Sequence, residues 1–148
     1  MSRIKVLSKK SAYYIDKRTF YHTYYFALGY NEWKEQYASM IGSAMKAIDY
    51  NGMPHGNETG DPTARIGMRT YAIKTRIDAI ETIAVTAGQD LWQYLLFGVT
   101  HEKVTFEYLH SERCPIGKIP CERTKYYQMR RVFYYLLSKK IEELSILS

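Results

Sequence analysis

Residues 122–140 read ERTKYYQMRRVFYYLLSKK, and this stretch decides the fold. It holds neither proline nor glycine, so nothing in it breaks a helix. At about 3.6 residues per turn, Tyr126, Met129, Phe133, Leu136 and Leu137 fall on one side. Thr124, Tyr127, Gln128, Arg131 and Tyr135 fall opposite, with Arg123 and Arg130 on a flank. A helix with such a back must bury it against other elements. The spacing predicts one helix over residues 122–144 with a helical domain behind it.

Working outward, Pro115, Gly117 and Pro120 make residues 114–120 a loop that delimits this helix. Ahead of the loop, Thr105 stands as an N-cap to a brief segment over 105–113, and 100–103 is a polar break. A short helix is expected over 89–99. Asp61 followed by Pro62 starts a long helix running to about residue 87: the Asp oxygen accepts an orphan N–H, and proline at the first position loses nothing. Its expected buried stripe is Ile66, Tyr71, Ile73, Ile77, Ile80, Ile83 and Ala84, and Gly88 suits its end. Glycines and Pro54 make residues 51–61 a loop.

Before that loop, Asn31 with Glu32 caps a helix to about residue 48, with Trp33, Tyr37, Ile41, Ala44, Met45 and Ile48 as its buried stripe. Tyr14, Phe20, Tyr21, Tyr24, Tyr25 and Leu28 give residues 11–28 helical spacing. The expected fold is therefore all-α: a single helical domain over 1–148, with N-terminal helices in 1–50 and a long central helix in 61–88. In 89–148 a short helix, a turn and the final helix are expected to form a helix-turn-helix.

The composition agrees: 148 residues, 46% hydrophobic and 24% charged, suit one folded domain and argue against disorder. The longest apolar stretches, 24–28 and 92–99, fall far short of the roughly 20 residues that span a bilayer, so no membrane partner is expected. The basic start, residues 1–10, lacks the apolar core of a secretory signal, which points to the cytoplasm. Cys114 and Cys121 are too few for a disulfide scaffold and are expected as thiols.

Charge points to the partner. The net charge of +6 favours anions, and residues 113–148 carry eight basic side chains against three acidic ones. An exposed face of Arg, Gln, Thr and Tyr has what the major groove asks for: forked donors for guanine and phosphate, and an amide for adenine. The candidate DNA contacts are Arg123, Thr124, Tyr127, Gln128, Arg130 and Arg131, with Lys118 from the preceding loop. A solvated basic face that binds nothing is the competing expectation, as is common for terminal helices.

Other chemistries find less support. His101, His110, Cys114 and Cys121 include soft ligands but no CxxC pair, so no metal is expected. Cys121, near a helix start, has either a lowered thiol pKa or the role of a small packed residue. The loop around His55 lacks the Lys-Ser/Thr end of a phosphate-binding loop. The helix start near Arg65 offers a weaker phosphate contact. Glu142 and Glu143 are adjacent and face different ways, unlike a catalytic pair. Neither an enzyme nor a cofactor is expected. The tyrosine doublets 13/14, 24/25, 126/127 and 134/135 suit a core with wet hydroxyls better than a stacking platform, Tyr127 excepted.

A family resemblance rests on four segments in order. They are Tyr24-Tyr25-Phe26-Ala27-Leu28 with Glu32-Trp33-Lys34; Gly52-Met53-Pro54-His55-Gly56 with Asp61-Pro62-Thr63; Val104-Thr105-Phe106-Glu107-Tyr108-Leu109; and Ile119-Pro120-Cys121 with Arg130-Arg131 and Phe133. In these the chain resembles small phage and prophage proteins of Gram-positive bacteria related to the RinA/ArpU-type late-gene transcriptional regulators, over residues 24–141. The resemblance implies a sigma-region-4-like helix-turn-helix that binds double-stranded promoter DNA in the bacterial host cell and activates late or packaging genes. Residues 101–103 and the long turn 114–120 depart from that pattern. Host RNA polymerase and a second copy of this chain are the other partners to be expected. A packaging or structural adaptor, or a polymerase-binding module, is the alternative function.

Overall fold

The computed structural model describes residues 12–50 and 62–147, without the side chains of 44–50, 62–64, 66, 146 and 147. The basic start at 1–10, the 51–61 loop with His55 and the Asp61 cap, and the side chains of Ala44, Met45, Ile48 and Ile66 therefore lie outside the described residues. All regular structure that is described is helical: α1 (Lys17–Leu28), α2 (Tyr30–Tyr50), α3 (Pro62–Gly88), a 3-10 turn (Gln89–Leu91), α4 (Trp92–Val99), α5 (Phe106–Leu109) and α6 (Arg123–Leu147). No described helix is long and apolar enough to cross a membrane.

The first helix is shorter than its aromatic spacing predicts. It starts at Lys17 because Asp16, in extended backbone, accepts from the Thr19 N–H at 2.7 Å and takes one of the orphan donors of the first turn. The bonds from Thr19 hold the Asp16 carboxyl below its ordinary range. Its folded pKa is thus the lower one, so the cap contributes fully above the unfolded pKa and is lost as pH falls through the depressed value. Asp16→Ala is expected to lower the melting temperature at neutral pH, with the gap to the parent closing in acid, as thermal melts across pH will show.

Only Gly29 separates α1 from α2, so Asn31 lies inside the second helix instead of capping it from outside. Thr105 does cap α5, its Oγ1 accepting from the Tyr108 N–H at 3.3 Å. At the end of α3 the left-handed position falls on Gln89, with φ of 49°, and not on Gly88. Gly88 is wanted for its size: a Cβ there would meet the Leu95 side chain at 3.3 Å.

The described residues group into two compact units, one of 12–29 with 79–147 and one of 30–78, so that α3 contributes to both. In the smaller unit Tyr30, Ile73 and Ile77 are buried, while Trp33, Tyr37 and Ile41 are half-buried. Arg76 lies over the Trp33 ring and Lys74 over Tyr37, at 5.3 and 5.5 Å from the ring centres. Tyr71, expected in the buried stripe, is instead 74% exposed, since it falls away from the Ile73 and Ile77 side of the helix.

The larger unit holds the core in which α6 is seated. Ile80, Ala84, Leu95, Leu109, Ile119, Tyr126, Phe133 and Leu137 are fully or almost fully buried in it. Helix α1 packs on α6 through aromatic edges, with Phe20 against Tyr134 at 5.0 Å between ring centres. The buried hydroxyls of Thr23, Thr100 and Ser138 donate to carbonyls of their own helices at 2.7–2.8 Å. That removes the cost of burying them unbonded.

Candidate nucleic-acid interface

Helix α6 separates its two chemistries as its spacing requires. Tyr126, Met129, Phe133 and Leu137 are buried, Leu136 is half-buried, and Thr124, Lys125 and Gln128 are exposed. The polar face does not run the length of the helix. Tyr135, on the same side, meets the Tyr13 ring edge-on at 5.6 Å, so the open part is the first turns, from Arg123 to Arg131.

Five of the expected contacts stand on that open part. Thr124 and Gln128 are one turn apart with both side chains exposed, and Tyr127 and Arg131 are half-buried beside them. Arg123 is exposed but engaged: its Nη1 donates to Glu107 Oε1 at 2.7 Å, and its guanidinium lies 5.4 Å from the Tyr127 ring centre. Both partners of that ion pair are more than half exposed, so it contributes little and yields readily to another anion.

Arg130, expected on the flank of the polar face, packs among tyrosines. Its guanidinium lies 5.6–5.9 Å from the ring centres of Tyr126, Tyr127 and Tyr134, and its Nη2 donates to the Tyr134 hydroxyl at 3.2 Å. Burial opposes its charge, but the tyrosine oxygens and that bond outweigh burial and raise its pKa above the ordinary arginine value. Position 130 lies one turn beyond Tyr126 and one turn before Tyr134, which places it at the edge of the buried stripe. Its packing is with the tyrosines that join α6 to its neighbours.

Residues 110–122 separate the four-residue α5 from α6, whereas a compact helix-turn-helix uses about 3 to 4 residues. The connection is ordered by its own bonds. Ile119 N donates to Leu109 O at 2.8 Å, Gly117 N to Cys114 O at 3.0 Å, and the Tyr108 hydroxyl to Arg113 O at 3.2 Å. Gly117 adopts φ of 101°, a conformation that favours glycine. Lys118 is exposed on this connection.

Burial, more than the opposing Lys125, pushes the Cys121 thiol up, as for a packed residue and not a reactive thiolate. Among the described residues no three His, Cys, Asp or Glu side chains come together in a way that could hold a metal ion. What spacing could not reveal is the pairing of Arg123 with Glu107, and the tyrosine hydroxyls that hold the loop, because these partners lie on different elements. No family model, no curated protein and no solved structure matches the chain.

Proposed function

We propose that the protein binds double-stranded DNA through the first turns of α6 and acts as a transcriptional regulator of phage or prophage genes, of the RinA/ArpU type. The observation that carries the DNA reading is the open polar face, with Thr124 and Gln128 exposed between cationic neighbours on a helix whose back is locked in a core. Rigid presentation matters, since a side chain already held in place loses less entropy on binding. The regulator assignment follows from the four-segment resemblance, and promoter DNA is the substrate it implies. The helix-turn-helix part of this reading comes from the resemblance, since the 110–122 connection is longer than the tight turn of that motif.

Arg113, Lys118, Arg123, Lys125 and Arg131 are the cations that the first turns of α6 and the connection before it offer to phosphates. Neutralising about four of them gives a log–log salt slope of about −3 to −4. Fluorescence anisotropy with a labelled duplex at increasing salt is expected to give that slope. A slope near zero removes the DNA reading.

One observation favours a protein contact elsewhere. Met68 and Tyr71, three residues apart on α3, are 73% and 74% exposed. This supports self-association, or the alternative of a packaging adaptor. Size-exclusion with light scattering decides it: a closed ring supports the adaptor, and a monomer or dimer that binds DNA supports the regulator.

A further inference from the structure

The connection ahead of α6 presents a cation–apolar–cation tip. Arg113, Pro115, Ile116, Gly117 and Lys118 are all exposed, while Cys114 and Ile119 are buried and anchor the segment at both ends. The Tyr94 hydroxyl lies 3.5 Å from the carbonyl oxygens of both Ile116 and Lys118, and the Tyr108 hydroxyl holds the Arg113 carbonyl. Ser111 Oγ accepts from the Arg113 N–H at 3.3 Å, and the Cys114–Gly117 turn closes the tip. A loop tethered this often is preformed. At the tip Ile116 is 39% exposed between two cations. Neither Arg113 nor Lys118 forms an ion pair among the described residues, and Glu112, ahead of the tip, is the single acid of residues 112–118.

We propose that the 113–118 tip is a second duplex contact, with Arg113 and Lys118 on phosphates and Ile116 entering the minor groove as an apolar wedge. This rests on the DNA reading of α6. Proteins that kink DNA from the minor groove combine cations with an inserted aliphatic or aromatic side chain in this way. Reach fits: Lys118 and Arg123 are five residues apart, which limits their Cα separation to about 18 Å. That is about half a turn of duplex, so a helix in the major groove keeps the tip beside the adjoining backbone and groove.

The test uses the full chain with a duplex of about 30 base pairs carrying a fluorophore at each end, so that anisotropy reports affinity and energy transfer reports bending. Lys118→Ala is expected to reduce the salt slope by about one unit. Ile116→Ala is expected to leave the slope intact, weaken binding about tenfold and reduce the bend. Unchanged melting curves show that both variants are folded. If the parent binds in a manner that depends on Gln128 and Arg131, yet both tip variants match it in affinity, slope and bend, the tip proposal is overturned while the α6 reading stands. If the parent does not bind duplex DNA, both fall. A change in oligomeric state with Ile116→Ala, at unchanged DNA binding, makes the tip a protein contact and also overturns the proposal.

Discussion

Phe133→Ala is expected to cost about 3 to 5 kcal/mol of stability, the range for deleting a buried aromatic ring. Phe133 is fully buried on the back of α6, edge-on to Tyr134, on the helix against which α1 and α4 both pack. Its loss leaves a cavity where neighbouring elements meet, so no single helix can move to fill it. Against a total of about 5 to 15 kcal/mol, that is a large share. At about 2–4 °C per kcal/mol for a chain of this size, the melting temperature should fall by roughly 6–20 °C. Thermal or denaturant melts followed by circular dichroism measure it directly. A loss below about 1 kcal/mol would mean that the back of α6 is not the core. The variant also sets the standard for every binding experiment, because unfolding mimics lost affinity.

Gly98→Ala is the second large effect, although alanine is the better helix former by about 1 kcal/mol. The Tyr126 side chain lies directly on Gly98: a Cβ there would overlap the hydroxyl and stand 3.1 Å from the ring Cζ. Tyr126 is itself fully buried and cannot swing away without opening the α4–α6 contact. Overpacking of this kind typically costs about 1–3 kcal/mol, and a rigid ring without space behind it belongs at the upper end. The same contact explains the Tyr126 hydroxyl, the one buried side-chain polar atom without a hydrogen-bond partner among the described residues. Burial also pushes its pKa well above the ordinary tyrosine value, so it stays neutral. Tyr126→Phe removes an unsatisfied group and is expected to be neutral or stabilising. In that background Gly98→Ala should recover part of its loss, since the ring Cζ still stands 3.1 Å from the new Cβ. A double-mutant cycle in urea checks this, and additive effects would show that the two residues do not press on each other.

These two positions show what local pattern carries and what it does not. The back of α6 was legible because Tyr126, Met129, Phe133 and Leu137 repeat at helical spacing in a stretch without breakers. Thr105 was legible as a cap because capping is local chemistry. Gly98 was not, since nothing near it in sequence says that a tyrosine twenty-eight residues later will lie on it. Asp16 followed the capping rule too, but the aromatic spacing of residues 11–28 ran through it and hid the true start of α1. Tyr71 failed for the opposite reason: an aromatic among isoleucines looks buried, yet its angle on the wheel turns it outward. The polar front of α6 was legible as composition, while the inward packing of Arg130 and the covering of Tyr135 by Tyr13 depend on other elements. The 110–122 connection reads as a loop from Pro115, Gly117 and Pro120. That it is ordered follows from the Ile119–Leu109 and Gly117–Cys114 backbone bonds and from the Tyr108 hydroxyl reaching it.

Base reading by the open face of α6 is tested at Gln128, whose side chain is exposed there. The decisive measurement is enrichment of duplexes from a randomised library by the full chain and by folded Gln128→Ala. The parent is expected to enrich one motif and bind it at least about a thousandfold more tightly than random DNA. Gln128→Ala should relax the preference by about 1–3 kcal/mol at a single position of that motif, with little effect on random duplex. A parent that enriches no motif, or a Gln128→Ala protein that enriches the same motif with unchanged preference at every position, would contradict the account.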